Sequence, residues 1–127
     1  MNKPIVIAID AMGGDNSPNK IIEGVSIHSK ISSHVNYKIF GKKNLITPFI
    51  NKYNLSNERF DLVHTDKVVE GDDTALSAAK RGKQTSLWLA IDSLKNNEAD
   101  AIVSAGNTAA LFLISKLNLK MIENIDK

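Results

Sequence analysis

The chain has no cysteine, which removes disulfides, a cysteine nucleophile and thiolate metal sites together. Charge of either sign has little excess: 16 Lys and Arg stand against 14 Asp and Glu. The formal net charge of +2 gives no broad electrostatic attraction for nucleic acid. No apolar run approaches the ~20 residues of a membrane span. The start, Met1-Asn-Lys-Pro4, passes straight into a β-branched stretch without the apolar core of a signal peptide. The expectation is a soluble, cytoplasmic protein. Its 127 residues suit one domain, large enough to bury about two thirds of its unfolded surface.

Against these absences stand two glycine-bearing loops, each at the end of an apolar run. Pro4 to Asp10 is continuously apolar and β-branched, the pattern of a strand covered on both faces. It ends at a carboxylate and enters Ala11-Met-Gly-Gly-Asp-Asn-Ser-Pro18, dense in turn residues. The helix opened there is expected to bury Ile21 and Val25, with Gly24 letting it approach the sheet closely. Val35 to Phe40 and Phe60 to His64 read as two further strands. Between them a helix starts at Asn44 or at Thr47-Pro48 and runs through Phe49, Ile50 and Tyr53. Glu70-Gly-Asp-Asp73 reads as a loop, Ala75 to Ala79 as a short helix ending near Gly82, and Leu87, Trp88, Ile91 and Leu94 as an amphipathic helix with Leu87 and Trp88 in the core.

The second loop follows Ala101 to Val103, which reads as a buried parallel strand. Beyond Ser104-Ala-Gly-Asn-Thr108, the residues Ala110, Leu113, Ile114 and Leu117 recur at helical spacing, with Asn107 or Thr108 placed to cap the first turn. A strand that feeds such a turn and a helix offers several backbone N–H groups and partial positive charge to an anion. The order β-α-β-α-β-α-α-β-α without hairpin signals predicts a parallel α/β sheet. In such sheets ligands bind at the carboxyl ends of strands, where the strand order reverses. Strands one and four are therefore expected to be neighbours, with the loops around Gly14 and Asn107 facing each other across one cleft.

Asp10-Ala-Met-Gly-Gly-Asp15 together with Val103-Ser-Ala-Gly-Asn-Thr108 resembles the phosphate acyltransferase (PlsX) family of bacterial phospholipid synthesis. The likeness runs the whole chain, through Gly41, Val63-His64, Ala79-Lys-Arg81 and Ser86. Departures are small: Ala109-Ala110-Leu111 where the family has Gly-Ala-Leu, Thr74 where it commonly has Pro, and Thr85-Ser86-Leu87 where it has Ser-Ser-Met. The resemblance implies a Rossmann-like α/β/α sandwich related to isopropylmalate dehydrogenase and phosphotransacetylase. It also implies that residues 1–127 are the N-terminal part of a longer homodimeric protein. The implied reaction is acyl transfer from acyl carrier protein to inorganic phosphate without a further cofactor, and a contact with the membrane or with a downstream acyltransferase is a further expectation.

In that reaction phosphate, with a second pKa of about 6 to 7, is itself the nucleophile. The site then needs an anion cradle and donors for the developing oxyanion, one such donor being worth roughly 3 to 4 kcal/mol. Ser104, Asn107 and Thr108 are the candidate catalytic residues. Gly13, Gly14, Gly106, Asp10, Asp15, Arg81 and Ser86 are candidate phosphate- or substrate-binding residues. Asp10 and Asp15 would repel a dianion and are expected to organise the loop instead. No metal site is assigned, since two carboxylates alone do not complete a ligand set. Asp100 is read as structural. Lys80, Arg81 and Lys83 could clamp phosphate, meet an acidic carrier, or be a solvated face; Lys116 and Lys120 are read as solvated, and His28, His34 and His64 as surface or strand-end residues. The apolar face of 107 to 119 predicts exposed hydrophobic patches and self-association. Three alternatives stand beside the enzyme: a non-catalytic phosphometabolite-binding module, a folding or dimerisation piece that neither binds nor catalyses alone, and a phosphotransacetylase using coenzyme A.

Overall fold

The computed structural model describes residues 3–119; Lys120 lies outside them. Four parallel strands, β1 (Ile5–Asp10), β2 (Val35–Gly41), β3 (Phe60–His64) and β4 (Ala101–Ser104), form one sheet in the order β3-β2-β1-β4. Helices α1 (Asn19–Ile31) and α2 (Lys43–Lys52) cover one face. Helix α4 (Ser86–Lys95) covers the other, with α3 (Ala75–Lys80) and α5 (Thr108–Asn118) stacked against each other beside it. The fold is the expected α/β sandwich, and β1 and β4 are neighbours, paired from Ile7↔Ala101 to Asp10↔Ser104.

Alternation along the strands explains the layers, because successive side chains leave a strand on opposite faces. Ile9, Val35, Tyr37 and Ile39 pack with Ile22, Val25, Ile46 and Ile50 from α1 and α2, whereas Ala8 and Phe40 pack with Ala90 of α4. Fully buried aliphatic side chains such as Ile22, Ile46, Leu87 and Ile91 contribute on the order of 1.5–3 kcal/mol each. The helix starts are capped by neighbours in sequence, Thr74 for α3, Thr85 for α4 and Asn107 for α5. Helix α2 is capped from another element: its Lys43 N–H donates to His64 Nδ1 at the end of β3 (3.0 Å). Arg59 closes the other end of α1, donating to Ser29 O (2.8 Å), Ser32 O (2.5 Å) and Val35 O (2.7 Å).

Several expectations are corrected. Among the described residues β4 is an edge strand rather than a buried one, and Val103 is 47% exposed because none of their helices covers it on the α1 side. β1 is exposed at its start, where Ile5 lies in the open. Gly24 makes no close approach: it is exposed, and a Cβ there would meet nothing within 4 Å. Ile22, rather than Ile21, is the fully buried residue of α1's first turns. Helix α2 starts at Lys43, so Pro48 falls inside it.

Candidate functional site

The strand order reverses between β1 and β4, and both glycine loops leave the sheet there. They meet backbone to backbone. A Cβ on Gly13 would lie 2.9 Å from Gly106 N and 3.0 Å from Asp10 Oδ2, and one on Gly106 would lie 2.9 Å from Gly13 Cα. A Cβ on Gly14, which sits at φ +93°, would lie 2.8 Å from Ala105 O. Glycine is required here on two counts, the absent side chain and, at Gly14, a backbone region that L side chains rarely adopt. Ser17 Oγ donates to Gly13 O and braces the first loop.

Beneath the contact lies Asp10, 4% exposed. Its Oδ1 accepts from Ser86 Oγ (2.7 Å) and Met12 N–H (3.2 Å), and its Oδ2 accepts from Ser104 Oγ (3.0 Å). One carboxylate thus joins the first loop, the end of β4 and the start of α4. Burial pushes the Asp10 carboxyl above its ordinary value, opposed by the hydrogen bonds from Ser86, Met12 and Ser104. Asp10, Ser86 and Ser104 act as the frame under the loops.

Above it the loops and a third segment enclose a cavity of about 320 Å³, lined among others by Gly14, Asp15, Glu70, Gly71, Gly106 and Asn107. Asn107 Oδ1 accepts from Ala110 N–H (3.0 Å) and caps α5. Its Nδ2 donates to Glu70 O (3.2 Å) and Asp73 O (2.6 Å). The side chain is occupied as a cap and as a clamp on the 70–73 segment, so what the start of α5 can still offer an anion is its backbone N–H groups. Helix geometry leaves those of Thr108 and Ala109 without intrahelical acceptors. Thr108 is exposed at the first position of α5.

The structure separates Arg81 from this cavity. Its guanidinium is bidentate to Asp73 (2.5 and 2.9 Å), and the Arg81 hydrogen bond holds the Asp73 carboxyl down to about 2. Asp100 lies at the opposite sheet edge, where its Oδ2 accepts from Val6 N–H (2.9 Å), as its structural reading requires. His28 pairs with the Tyr37 hydroxyl (2.6 Å). No group of three or more His, Asp or Glu able to hold a metal occurs among the described residues, and no helix among them is long and apolar enough to cross a membrane. Sequence reasoning missed the 70–73 segment as a wall of the site. Its only local signal was Gly71 among carboxylates.

Comparison with known proteins gives a consistent result. A family described as fatty acid synthesis protein matches residues 5–127. A phosphate acyltransferase of Pelagibacter ubique is 56% identical over 127 residues, covering 100% of this chain and 38% of the relative. Those of Parvibaculum lavamentivorans (39% identical, 100% of this chain, 36% of the relative) and Enterococcus faecalis (38%, 95% and 35%) are more distant. The chain therefore spans little more than a third of the length of the curated relatives it matches.

Proposed function

Since the chain belongs to the fatty acid synthesis protein family, whose matched relatives are named phosphate acyltransferases, we propose that the full-length protein transfers a fatty acyl group from acyl carrier protein to inorganic phosphate. The observation that carries this reading is the backbone contact of the Gly13-Gly14 and Gly106 loops at the reversal point of the sheet, beside the start of α5. In the proposed step a phosphate oxygen attacks the thioester carbonyl. The C–O bond forms, the tetrahedral oxyanion collapses, the C–S bond breaks, and the phosphate proton passes to the departing thiolate. The products are acyl phosphate and free carrier thiol.

The backbone N–H groups of the two loops and of the first turn of α5 are the donors assigned to phosphate and oxyanion. Asp10, Ser86 and Ser104 hold the loops in register, and Asn107 holds the α5 start against the 70–73 segment. Asp15 and Glu70 also line the cavity, which has no Lys or Arg in its lining. A dianion there is repelled unless a cation from elsewhere in the full-length protein balances it. Residues 1–127 alone are accordingly expected to be inactive.

The test is phosphate-dependent thiol release from an acyl carrier protein thioester, with the full-length protein and residues 1–127 side by side. Release by the full-length protein that vanishes without phosphate and falls at least about tenfold in Asn107→Ala supports the reading. Release that ignores phosphate overturns it in favour of a binding module, and a preference for coenzyme A thioesters turns it to a phosphotransacetylase.

A further inference from the structure

On the same sheet edge as the glycine loops, the segments that leave β2 and β3 carry lysines. Lys42 follows Gly41 and stands at the start of α2, and Lys67 lies three residues beyond His64. Their backbones are fixed. Lys42 O accepts from Leu45 and Ile46 N–H (both 3.0 Å), and Lys67 O accepts from Ser86 N–H (3.0 Å). With Arg81, Asp66, Val68 and Glu70 they line a hollow of about 390 Å³, which shares Glu70 with the glycine-loop cavity. Lys43 stands beside it, lining the next depression with His64 and Asp66.

Some cations of the described residues are held in ion pairs and others, these three ammonium groups among them, are not. Lys20 pairs with Glu23, Lys38 with Glu98 and Arg81 with Asp73, whereas Lys42, Lys43 and Lys67 enter no ion pair among the described residues. Asp66 lies 3.4 Å from His64, and Glu70 lies between the hollow and the cavity. Three unpaired positive charges on rigid backbone, at the mouth of an acyl-transfer cavity, are placed to steer a negatively charged macromolecule to it.

We propose that Lys42, Lys43 and Lys67 form the docking surface for the acidic carrier protein that delivers the acyl thioester. The proposal rests on the acyl-carrier reading above. The carrier's acidic face sits on the lysines, and its thioester arm passes over Glu70 into the cavity between Gly14 and Gly106.

The experiment measures fluorescence anisotropy of labelled acyl carrier protein titrated with the full-length protein, at low and moderate salt. Lys42→Glu with Lys67→Glu should weaken binding at least about tenfold at low salt. Lys95→Glu, at the far end of α4, should leave it unchanged, and the wild-type affinity should fall with salt. Circular dichroism checks folding, and if the reversed pair does not fold, Lys42→Gln with Lys67→Gln should give a smaller loss in the same direction. Equal carrier binding by wild type and folded variant overturns the proposal, as does absence of wild-type binding. Two other outcomes also overturn it: loss of inorganic phosphate binding by calorimetry with carrier binding intact, which makes the hollow a phosphate subsite, or loss of binding to phosphatidylglycerol vesicles with carrier binding intact, which makes it a membrane contact. Thiol release judges the reaction separately. Carrier bound through the lysines without phosphate-dependent release would keep the surface and sink the acyltransferase reading.

Discussion

Asp10 and Asp73 are two carboxylates whose surroundings push them in opposite directions. Asp10 receives three hydrogen bonds but is buried without a cation, so burial dominates and its pKa rises. Removing the carboxylate leaves the Ser86 and Ser104 hydroxyls and the Met12 N–H without their acceptor, and Asp10→Ala should cost about 2–4 kcal/mol in urea unfolding. Asp10→Asn keeps one acceptor and should cost less. Because the folded pKa is raised, the stabilising contribution of the protonated carboxyl is complete below the unfolded value near 3.9 and is lost as pH rises through the folded one. Wild-type stability relative to Asp10→Asn should therefore decline from pH 4 upward and then level off; a gap that widens in favour of wild type would contradict the assignment.

Asp73 behaves in the reverse sense. Its folded value of about 2, set first by the Arg81 hydrogen bond, places its contribution above the unfolded value and removes it as pH falls toward 2. Wild type and Asp73→Asn should differ at pH 6, draw together below pH 4 and converge only as pH reaches about 2. In sequence Arg81 could be a phosphate clamp, a contact for an acidic carrier or part of a solvated face; the structure gives it a carboxylate eight positions upstream, on a loop whose path no local pattern specifies.

Among the elements, the loops and α1 set three glycines in contrast. Gly13→Ala places a methyl 2.9 Å from the Gly106 nitrogen and 3.0 Å from Asp10 Oδ2, a backbone atom and a buried, hydrogen-bonded carboxylate that cannot yield cheaply, so about 1–3 kcal/mol should be lost together with the loop contact. Gly14→Ala adds backbone strain at φ +93° and should be no milder. Gly24 sits mid-helix with open space around its missing Cβ, and Gly24→Ala should stabilise by about 0.5–1 kcal/mol, read as a higher thermal midpoint. The sequence made the first two legible, because Gly-Gly between an apolar run and a helix already announces a backbone approach. Gly24 gave the same letter without the same cause, and only packing distinguishes it. The caps at Thr74, Thr85 and Asn107 are local and could be read. The His64 cap on α2, the Arg59 closure of α1 and the Asp10–Ser86 bond join positions far apart in sequence, so no spacing rule reaches them.

For the whole molecule, the strand order decides both where the site lies and what stays uncovered. Placing β4 beside β1 brings the two glycine loops together at the reversal point, but among the described residues it also leaves β4 with an unpaired edge and one unclad face. An apolar groove of about 380 Å³ results between α1 and that face, lined by Ile7, Ile21, Val25, Tyr37 and Val103. The short run of Ala101 to Val103 could not reveal this, since an apolar strand reads alike at the centre of a sheet and at its edge. Phe112 (50% exposed) and Leu117 (61%) on α5 add apolar surface elsewhere. Residues 1–127 on their own should therefore bind an apolar-sensitive dye and self-associate as concentration rises, an open edge and apolar patches both favouring contact between copies. Val103→Lys puts a charge on the edge strand at a half-exposed position, where it should cost little stability, and it should lower both dye fluorescence and the apparent mass in light scattering. Phe112→Lys, on a helix remote from the sheet edge, separates the two sources: if it abolishes association while Val103→Lys does not, the α5 face and not the edge of β4 joins the copies.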